Sequence, residues 1–268
     1  MCWQAKRLVL RRVGFGLAVL VVFSLTVPGM ALAARPNFSG MWNVAEDGRL
    51  VISPDDDGHF FTLDPKWDPR NAVPDFRDNF TDETRRRREY FLAHYNRAKD
   101  DQAQYCVQNG MPWTMVSRTS DYLFDIYQTS DRITVDYEIH DAHRVIHFRE
   151  SGPPASFVPN TMGYSVARWE GDTLVIETSG LSARNPLGIK QRSDQMHITE
   201  RWRLIRHPKF GKALEIDLTV VDPVVYIKPA KGYQLLVPAP AGSTLIMYSC
   251  SEALWEDRVH ELERLHAR

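Results

Sequence analysis

The chain has 268 residues, of which 33 are basic, 34 are acidic and 43% are hydrophobic, and its formal charge is −1. This length and apolar content suffice for one large domain with its own core. The near-neutral charge argues against a general nucleic-acid-binding protein, which is usually basic.

The first 33 residues have the three parts of a secretory signal peptide. Four basic residues between Lys6 and Arg12 precede an apolar run over 13–27, and Ala31-Leu32-Ala33 offers the small-x-small cleavage pattern. The run is shorter than the roughly 20 residues that span a bilayer. We therefore predict cleavage, no stable membrane insertion afterwards, and a periplasmic or secreted product. Losing four basic residues leaves 29 basic and 34 acidic ones, a charge of −5.

Cleavage would remove Cys2 and leave two cysteines, Cys106 and Cys250. Disulfides persist in exported proteins, so the sequence predicts that these two are paired. In the chain-entropy model a loop of this length contributes about 4–5 kcal/mol to stability. Two buried free thiols are the alternative.

An N-terminal extension is predicted over residues 34–122. It has short β-like segments at 48–53 and 59–63, separated by irregular, proline-containing sequence from a helix. Thr81 followed by Asp82 and Glu83 is typical of a helix start, with a capping residue before acids in the first turn. The helix is expected to continue through Arg85–Lys99.

From Leu123 to Cys250 the apolar residues recur with period two, which is typical of half-buried strands. We predict eight or nine strands in an antiparallel meander that closes into a barrel, with a two-sheet sandwich as the competing architecture. Residues 251–268 return to helical spacing and predict a C-terminal helix. Beginning at Leu123, the predicted strands continue at 133–139, 144–148, 165–169, 173–178, 196–205, 213–221, 226–227, 233–237 and 244–250.

Several motifs resemble those of an uncharacterised family of secreted bacterial proteins, and the similarity covers most of the mature chain. The resemblance implies a lipocalin-like β-barrel and no particular reaction. Family members commonly carry histidine where this chain has Tyr164, so no role of that histidine transfers. The matching segments are Pro36-Asn37-Phe38-Ser39-Gly40-Met41-Trp42, Gly110-Met111-Pro112, residues 168–178 (RWEGDTLVIET), residues 197–202 (HITERW), Asp222-Pro223 with Tyr226, Lys228-Pro229 and the C-terminal cysteine.

Glu200 is the most informative candidate site residue. In its strand it alternates with polar residues and shares a face with Ile198 and Trp202, which should point inward. A buried carboxylate must be paired or carry a raised pKa. The sequence therefore predicts either an internal ion pair, with Arg168 as one candidate partner, or a general acid or base. Tyr137 shares an apolar face with its own strand neighbours and is a candidate hydrogen-bond donor.

Trp202, Trp169, Tyr164 and His197 are the candidate ligand-binding residues. His197 lies on the polar face of its strand and would reach the interior only if the strand slipped by one residue. Three histidines, His140, His143 and His147, lie close together in the sequence, but they lack a recognised zinc spacing. The sequence predicts no metal site and no cofactor, since it has no phosphate-binding loop or catalytic signature.

Three functions fit these observations, and the sequence does not decide whether the protein is an enzyme. The first is binding of an apolar or aromatic small molecule in an internal cavity. The second is a cofactor-independent lyase or isomerase with Glu200 as general acid or base, assisted by Tyr137 and Arg168. The third is a structural protein of the cell envelope.

Overall fold

The computed structural model of the protein describes residues 35–45, 79–94, 96, 108, 110–115, 122–148, 150–183, 192–246, 257–258, 260–261 and 264. All of them belong to one compact unit, Arg35–Arg268. Several predicted features lie outside these residues: the signal peptide, the segments at 48–53 and 59–63, Cys106, Cys250, and most of the C-terminal helix.

Nine strands and the helix α1 make up the named elements of the described part of the chain. In order they are β1 (Gly40–Val44), α1 (Asp82–His94), β2 (Leu123–Gln128), β3 (Arg132–Tyr137), β4 (Ala142–His147), β5 (Tyr164–Glu170), β6 (Thr173–Ser179), β7 (His197–His207), β8 (Gly211–Val221) and β9 (Ala230–Pro238). A 3-10 turn, Ile139–Asp141, joins β3 to β4.

The strands form a closed barrel in chain order, which confirms the predicted mostly-β barrel. β1 closes it by pairing with both β2 and β9. The barrel therefore begins earlier than predicted, because β1 lies within residues 34–122, which the sequence predicted to be an extension preceding the barrel. Because β1 has only five residues and starts at glycine, its alternation is too short to identify it.

One strand pair departs from the predicted antiparallel meander. β4 and β5 run parallel, and their register consists of Ile146 opposite Ser165 and His147 opposite Val166. The connection over residues 148–163 brings the chain back so that the start of β5 lies beside the end of β4 and both strands run in the same direction. Parallel neighbours need such a crossover, whereas antiparallel neighbours can be joined by a tight turn. The other neighbouring strands are antiparallel.

Two predicted strands are wrong in the part that the structure describes. Tyr226 forms an isolated bridge with Phe80 instead of a barrel strand, and residues 243–246 are not extended into the sheet. The predicted helix α1 is present, but it follows β1 and ends at His94. Thr81 caps it, since the Thr84 amide donates to Thr81 Oγ1 at 3.3 Å. Among the described helical residues, none forms a helix that is long and apolar enough to cross a membrane.

Alternate residues of each strand face the interior, where they form one core. We call the end with the β2–β3, β5–β6 and β7–β8 turns the upper end, and the opposite one the lower end. Burial of these side chains provides most of the driving force for closure. The largest fully buried side chains include Trp42, Trp202, Tyr137, Phe38, Phe80, Ile126, Ile133, Ile146 and Leu174.

Candidate functional site

Glu200 lies inside the barrel in an ion pair with Arg144. Arg144 Nη2 donates to Glu200 Oε1 at 2.6 Å, and Nη1 donates to Oε2 at 3.2 Å. Both side chains are at most 1% exposed. Trp202 Nε1 also donates to Glu200 Oε2, at 2.9 Å. The carboxylate therefore accepts three hydrogen bonds, two of them in the bidentate geometry that makes Arg–carboxylate pairs strong.

Arg144 also contacts the two strands between its own strand and that of Glu200. Its Nε donates to Ser165 Oγ at 2.9 Å, and Nη2 donates to Thr178 Oγ1 at 2.8 Å. The two hydroxyl oxygens are 2.9 Å apart and hydrogen-bonded to each other. One guanidinium on β4 thus binds side chains on β5, β6 and β7. It adds side-chain bonds across the β4–β5 pair, where the backbone register is short.

These five residues, Arg144, Ser165, Thr178, Glu200 and Trp202, form the polar cluster of the barrel interior. Burial alone lowers the pKa of Arg144, but the charge of Glu200 and the hydrogen bonds raise it, and the net shift is upward. Arg144 therefore stays a cation and its partner a counter-ion. Since the two opposite charges satisfy each other, the polar cluster carries no net charge.

Tyr137 and Gln234 are buried inside the barrel with polar atoms that lack hydrogen-bond partners in the described structure. Both residues are 2% exposed. The Tyr137 hydroxyl, and both Nε2 and Oε1 of Gln234, have no partner within hydrogen-bond geometry. Gln234 lies opposite Ile216 on the inward face of β9. Buried polar groups are normally paired, so each of these atoms calls for an explanation.

The Tyr137 hydroxyl is close enough to the polar cluster to respond to its charges, although it makes no well-formed hydrogen bond there. Burial raises the pKa of Tyr137, the Arg144 guanidinium lowers it and the Glu200 carboxylate raises it, and the net result is a pKa of about 12. Its ring packs edge-on against Phe124, with centroids 5.4 Å apart. Tyr137 is therefore a neutral phenol at physiological pH.

The prediction that Arg168 pairs with Glu200 is wrong. Arg168 lies on the outer surface, where it bonds Glu177 at 3.0 Å and Glu170 at 3.1 Å. On β5 the inward residues are Ser165, Ala167 and Trp169, so Arg168, which alternates with them, faces outward. Arg144 was missed because it lies next to the predicted turn at 140–143. Arg144 is two residues before the apolar Ile146, and this spacing could have indicated that both side chains lie on the same inward face of the strand.

The structure separates the other candidate ligand-binding residues. Trp202 and Trp169 face the interior, whereas His197 is exposed at the start of β7. Tyr164 points outward and stacks on His147 at 4.7 Å. Its hydroxyl bonds Glu150, which also contacts the His147 ring at 3.3 Å. Tyr164 and His197 therefore do not join the polar cluster.

The three histidines near the β3–β4 turn do not converge. His143 Nδ1 bonds Asp136 Oδ1 at 2.5 Å on the outer surface. His147, at the other end of β4, contacts Glu150 instead. Among the described residues, no three His, Cys, Asp or Glu side chains are grouped to hold a metal ion.

The upper end of the barrel is closed by the segment that precedes β1. Phe38 is fully buried and stacks on Trp169, with its ring edge-on to Trp202; both centroid distances are 5.7 Å. The Phe38 amide donates to Gln128 Oε1 at 3.0 Å. Trp42 Nε1 donates to the Phe38 carbonyl at 2.8 Å. Part of the PNFSGMW motif thus forms an aromatic plug.

The lower end is closed by loop residues that include buried methionines. Met162 precedes β5 and Met196 precedes β7, while Met111 and Met115 come from the turn at 110–115. All four belong to the same core as the barrel interior. Because methionine is unbranched and flexible, this end can repack more easily than the aromatic plug.

The Asp222-Pro223 motif forms a structural corner at the lower end. Asp222 is buried and accepts bonds from the Ser193 amide and hydroxyl, both at 2.7 Å, and from the Val224 and Val225 amides at 3.2 Å. The same connection and the start of α1 line a groove of about 420 Å³. Since Asp222 is committed to its own corner, the barrel interior is the better candidate site.

Comparisons with protein-family models, curated proteins and solved structures found no match.

Proposed function

We propose that the protein is an exported barrel that binds an apolar or aromatic small molecule in its interior. The observation that carries this proposal is the presence of buried polar atoms without partners, Tyr137 Oη and the Gln234 amide, in an interior that is apolar and aromatic apart from the polar cluster. Ligand sites combine this kind of apolar lining with a few placed polar groups. A barrel of about this strand number has room for its own side chains or for one small ligand.

Energetic cost supports a functional role for these groups. An unpartnered buried polar group costs about 1–3 kcal/mol, a large part of the stability of a typical domain. Leucine at position 234 would avoid this cost. Stability is often sacrificed in this way at functional sites, where the group is needed for a bound molecule.

The signal-peptide pattern supports a periplasmic or secreted location, and the net negative charge of the mature chain argues against a nucleic-acid partner. Because disulfides persist in exported proteins, we also propose a disulfide between Cys106 and Cys250. The resemblance implies a lipocalin-like barrel, and a binding role of the kind proposed agrees with a closed barrel whose interior is mostly apolar.

The catalytic alternative has less support. Glu200 accepts bidentate bonds from Arg144 and a further bond from Trp202, so using it as a base would require breaking a buried ion pair. This arrangement is typical of a structural carboxylate. The envelope-protein alternative gives no reason for burying the unpartnered polar atoms of Tyr137 and Gln234, because a purely structural barrel binds nothing in its interior.

Native mass spectrometry of the full chain, expressed with its own leader and isolated from the exported fraction, tests the binding proposal. We expect a bound small molecule that dissociates on unfolding and is reduced in the Gln234→Leu variant. The same variant should unfold at an equal or higher temperature than the wild type. A ligand-free wild type, together with no saturable uptake of an apolar fluorescent probe, would contradict the proposal.

A further inference from the structure

We infer that the barrel interior selects uncharged molecules that carry a hydrogen-bonding group, such as a hydroxyl, carbonyl or amide. This inference rests on the proposed binding function and specifies its ligand class. It follows from how the charges and hydrogen-bonding groups of the interior are already used.

The charges inside the barrel are committed to each other. Among the buried residues of the described strands, Arg144 and Glu200 are the charged ones. Glu200 accepts three bonds, and Arg144 donates four to its neighbours. Since a guanidinium has five N–H donors, little of its capacity is left. An anion would have to compete with Glu200, and a cation with Arg144.

The hydrogen-bonding atoms that are left over are neutral. With its pKa raised to about 12, Tyr137 remains a phenol that can donate one hydrogen bond and accept another. Gln234 offers a carbonyl oxygen and an amide group, both without partners in the described structure. A neutral ligand can pair with these atoms without disturbing the ion pair.

A charged ligand would be disfavoured by desolvation. Moving an ion from water into an apolar interior costs several kcal/mol unless a counter-ion receives it. The polar cluster has no counter-charge to spare, because its two charges cancel. The interior should therefore distinguish two molecules of the same skeleton that differ by one charge.

Two fluorescent probes make this comparison directly. N-phenyl-1-naphthylamine is neutral and has one N–H donor, and 8-anilinonaphthalene-1-sulfonate has the same skeleton with an added sulfonate. Each would be titrated into the full-length wild type and into Tyr137→Phe and Gln234→Leu. Tyr226→Phe is the matched control, since Tyr226 is another buried phenol but lies in the β8–β9 connection.

We expect the neutral probe to bind at least tenfold more tightly than the sulfonate. Because the neutral probe has a single N–H donor, at least one of Tyr137→Phe and Gln234→Leu should weaken its binding about 2–10-fold, the range expected for losing one neutral hydrogen bond. Tyr226→Phe should leave it unchanged. Unaltered near-ultraviolet circular dichroism, with an unfolding temperature no lower than that of the wild type, would verify that the variants are folded.

Each other outcome identifies what fails. Equal binding of both probes, weakened by the Tyr137 and Gln234 variants, would overturn the selectivity while supporting the binding function. Sulfonate fluorescence that these variants leave unchanged is surface binding and agrees with exclusion from the interior. Neutral-probe binding that neither variant weakens would overturn the assignment of the two anchoring residues. Failure of both probes to bind would count against the proposed function itself.

Discussion

The ion pair between Arg144 and Glu200 predicts strong thermodynamic coupling. We consider Arg144→Met, Glu200→Leu and the double variant, which replace the charged side chains with apolar ones of similar size. Each single change leaves one charge buried at a site that is at most 1% exposed. The double change removes both charges and leaves the Ser165–Thr178 hydrogen bond in place.

The expected magnitudes follow from burial. Removing one partner of a buried ion pair typically costs about 3–5 kcal/mol, because the remaining charge is uncompensated. In the double variant the main residual cost is the Trp202 indole N–H, which loses its acceptor, at about 1–3 kcal/mol. The double variant should therefore be more stable than either single variant. Its loss of unfolding free energy should be far smaller than the sum of the losses in the two single variants.

Urea unfolding followed by tryptophan fluorescence would measure the four free energies of this cycle. Arg168→Met is the matched control, since Arg168 makes two exposed ion pairs that solvent screens, and its effect should be small. If the double variant lost the sum of the two single effects to within about 0.5 kcal/mol, the two side chains would be independent. That result would refute the internal ion pair.

Three further expectations concern other parts of the barrel. First, the folded pKa of Tyr137 is about 12 against an ordinary value of 10, so its contribution is fully present below pH 10 and is lost as pH rises toward 12. Urea unfolding at about pH 9 and about pH 11 should show a smaller decline for Tyr137→Phe than for the wild type. Second, Gly171→Ala should cost about 1–2 kcal/mol from its φ of +61° alone. Gly110→Ala, at φ +70°, should cost clearly more in the same denaturation assay, because its Cβ would lie 2.3 Å from the Thr161 carbonyl oxygen. Equal costs would mean that this contact relaxes freely. Third, Asp222→Ala, which removes both acceptor oxygens, should destabilise the corner by about 1–3 kcal/mol and speed hydrogen exchange at the Val224 and Val225 amides. Unchanged exchange at these amides would contradict the structural role of the carboxylate.

Period-two alternation was sufficient to predict most of the barrel. It identified β3 and β5–β8 closely and placed Tyr137 and Glu200 on inward faces, because one buried face fixes the alternation. β1 escaped detection because a five-residue strand that starts at glycine has too little pattern. The parallel β4–β5 pair depends on where the 148–163 crossover returns, which local sequence does not specify.

The candidate site was less predictable than the strands that support it. The need for a cationic partner of Glu200 followed from the cost of burying a carboxylate. The identity of that partner did not, because Arg144 is 56 positions away and three strands distant. Choosing between Arg144 and Arg168 required the strand register. The burial of Gln234 could not be predicted, since a single amide side chain in an apolar strand is typical of a surface position.

The position of β1 has a consequence for the order in which the protein is made. β1 pairs with β2 and with β9, so its second partner is the last barrel strand to be synthesised. The ribbons β2–β4 and β5–β9 can form from nearby sequence, but the ring cannot be completed until Pro238 has emerged. Until then the earliest strand exposes an edge that favours association with other chains. A chain ending before Ala230 should stay open between β1 and β8 rather than form a smaller ring.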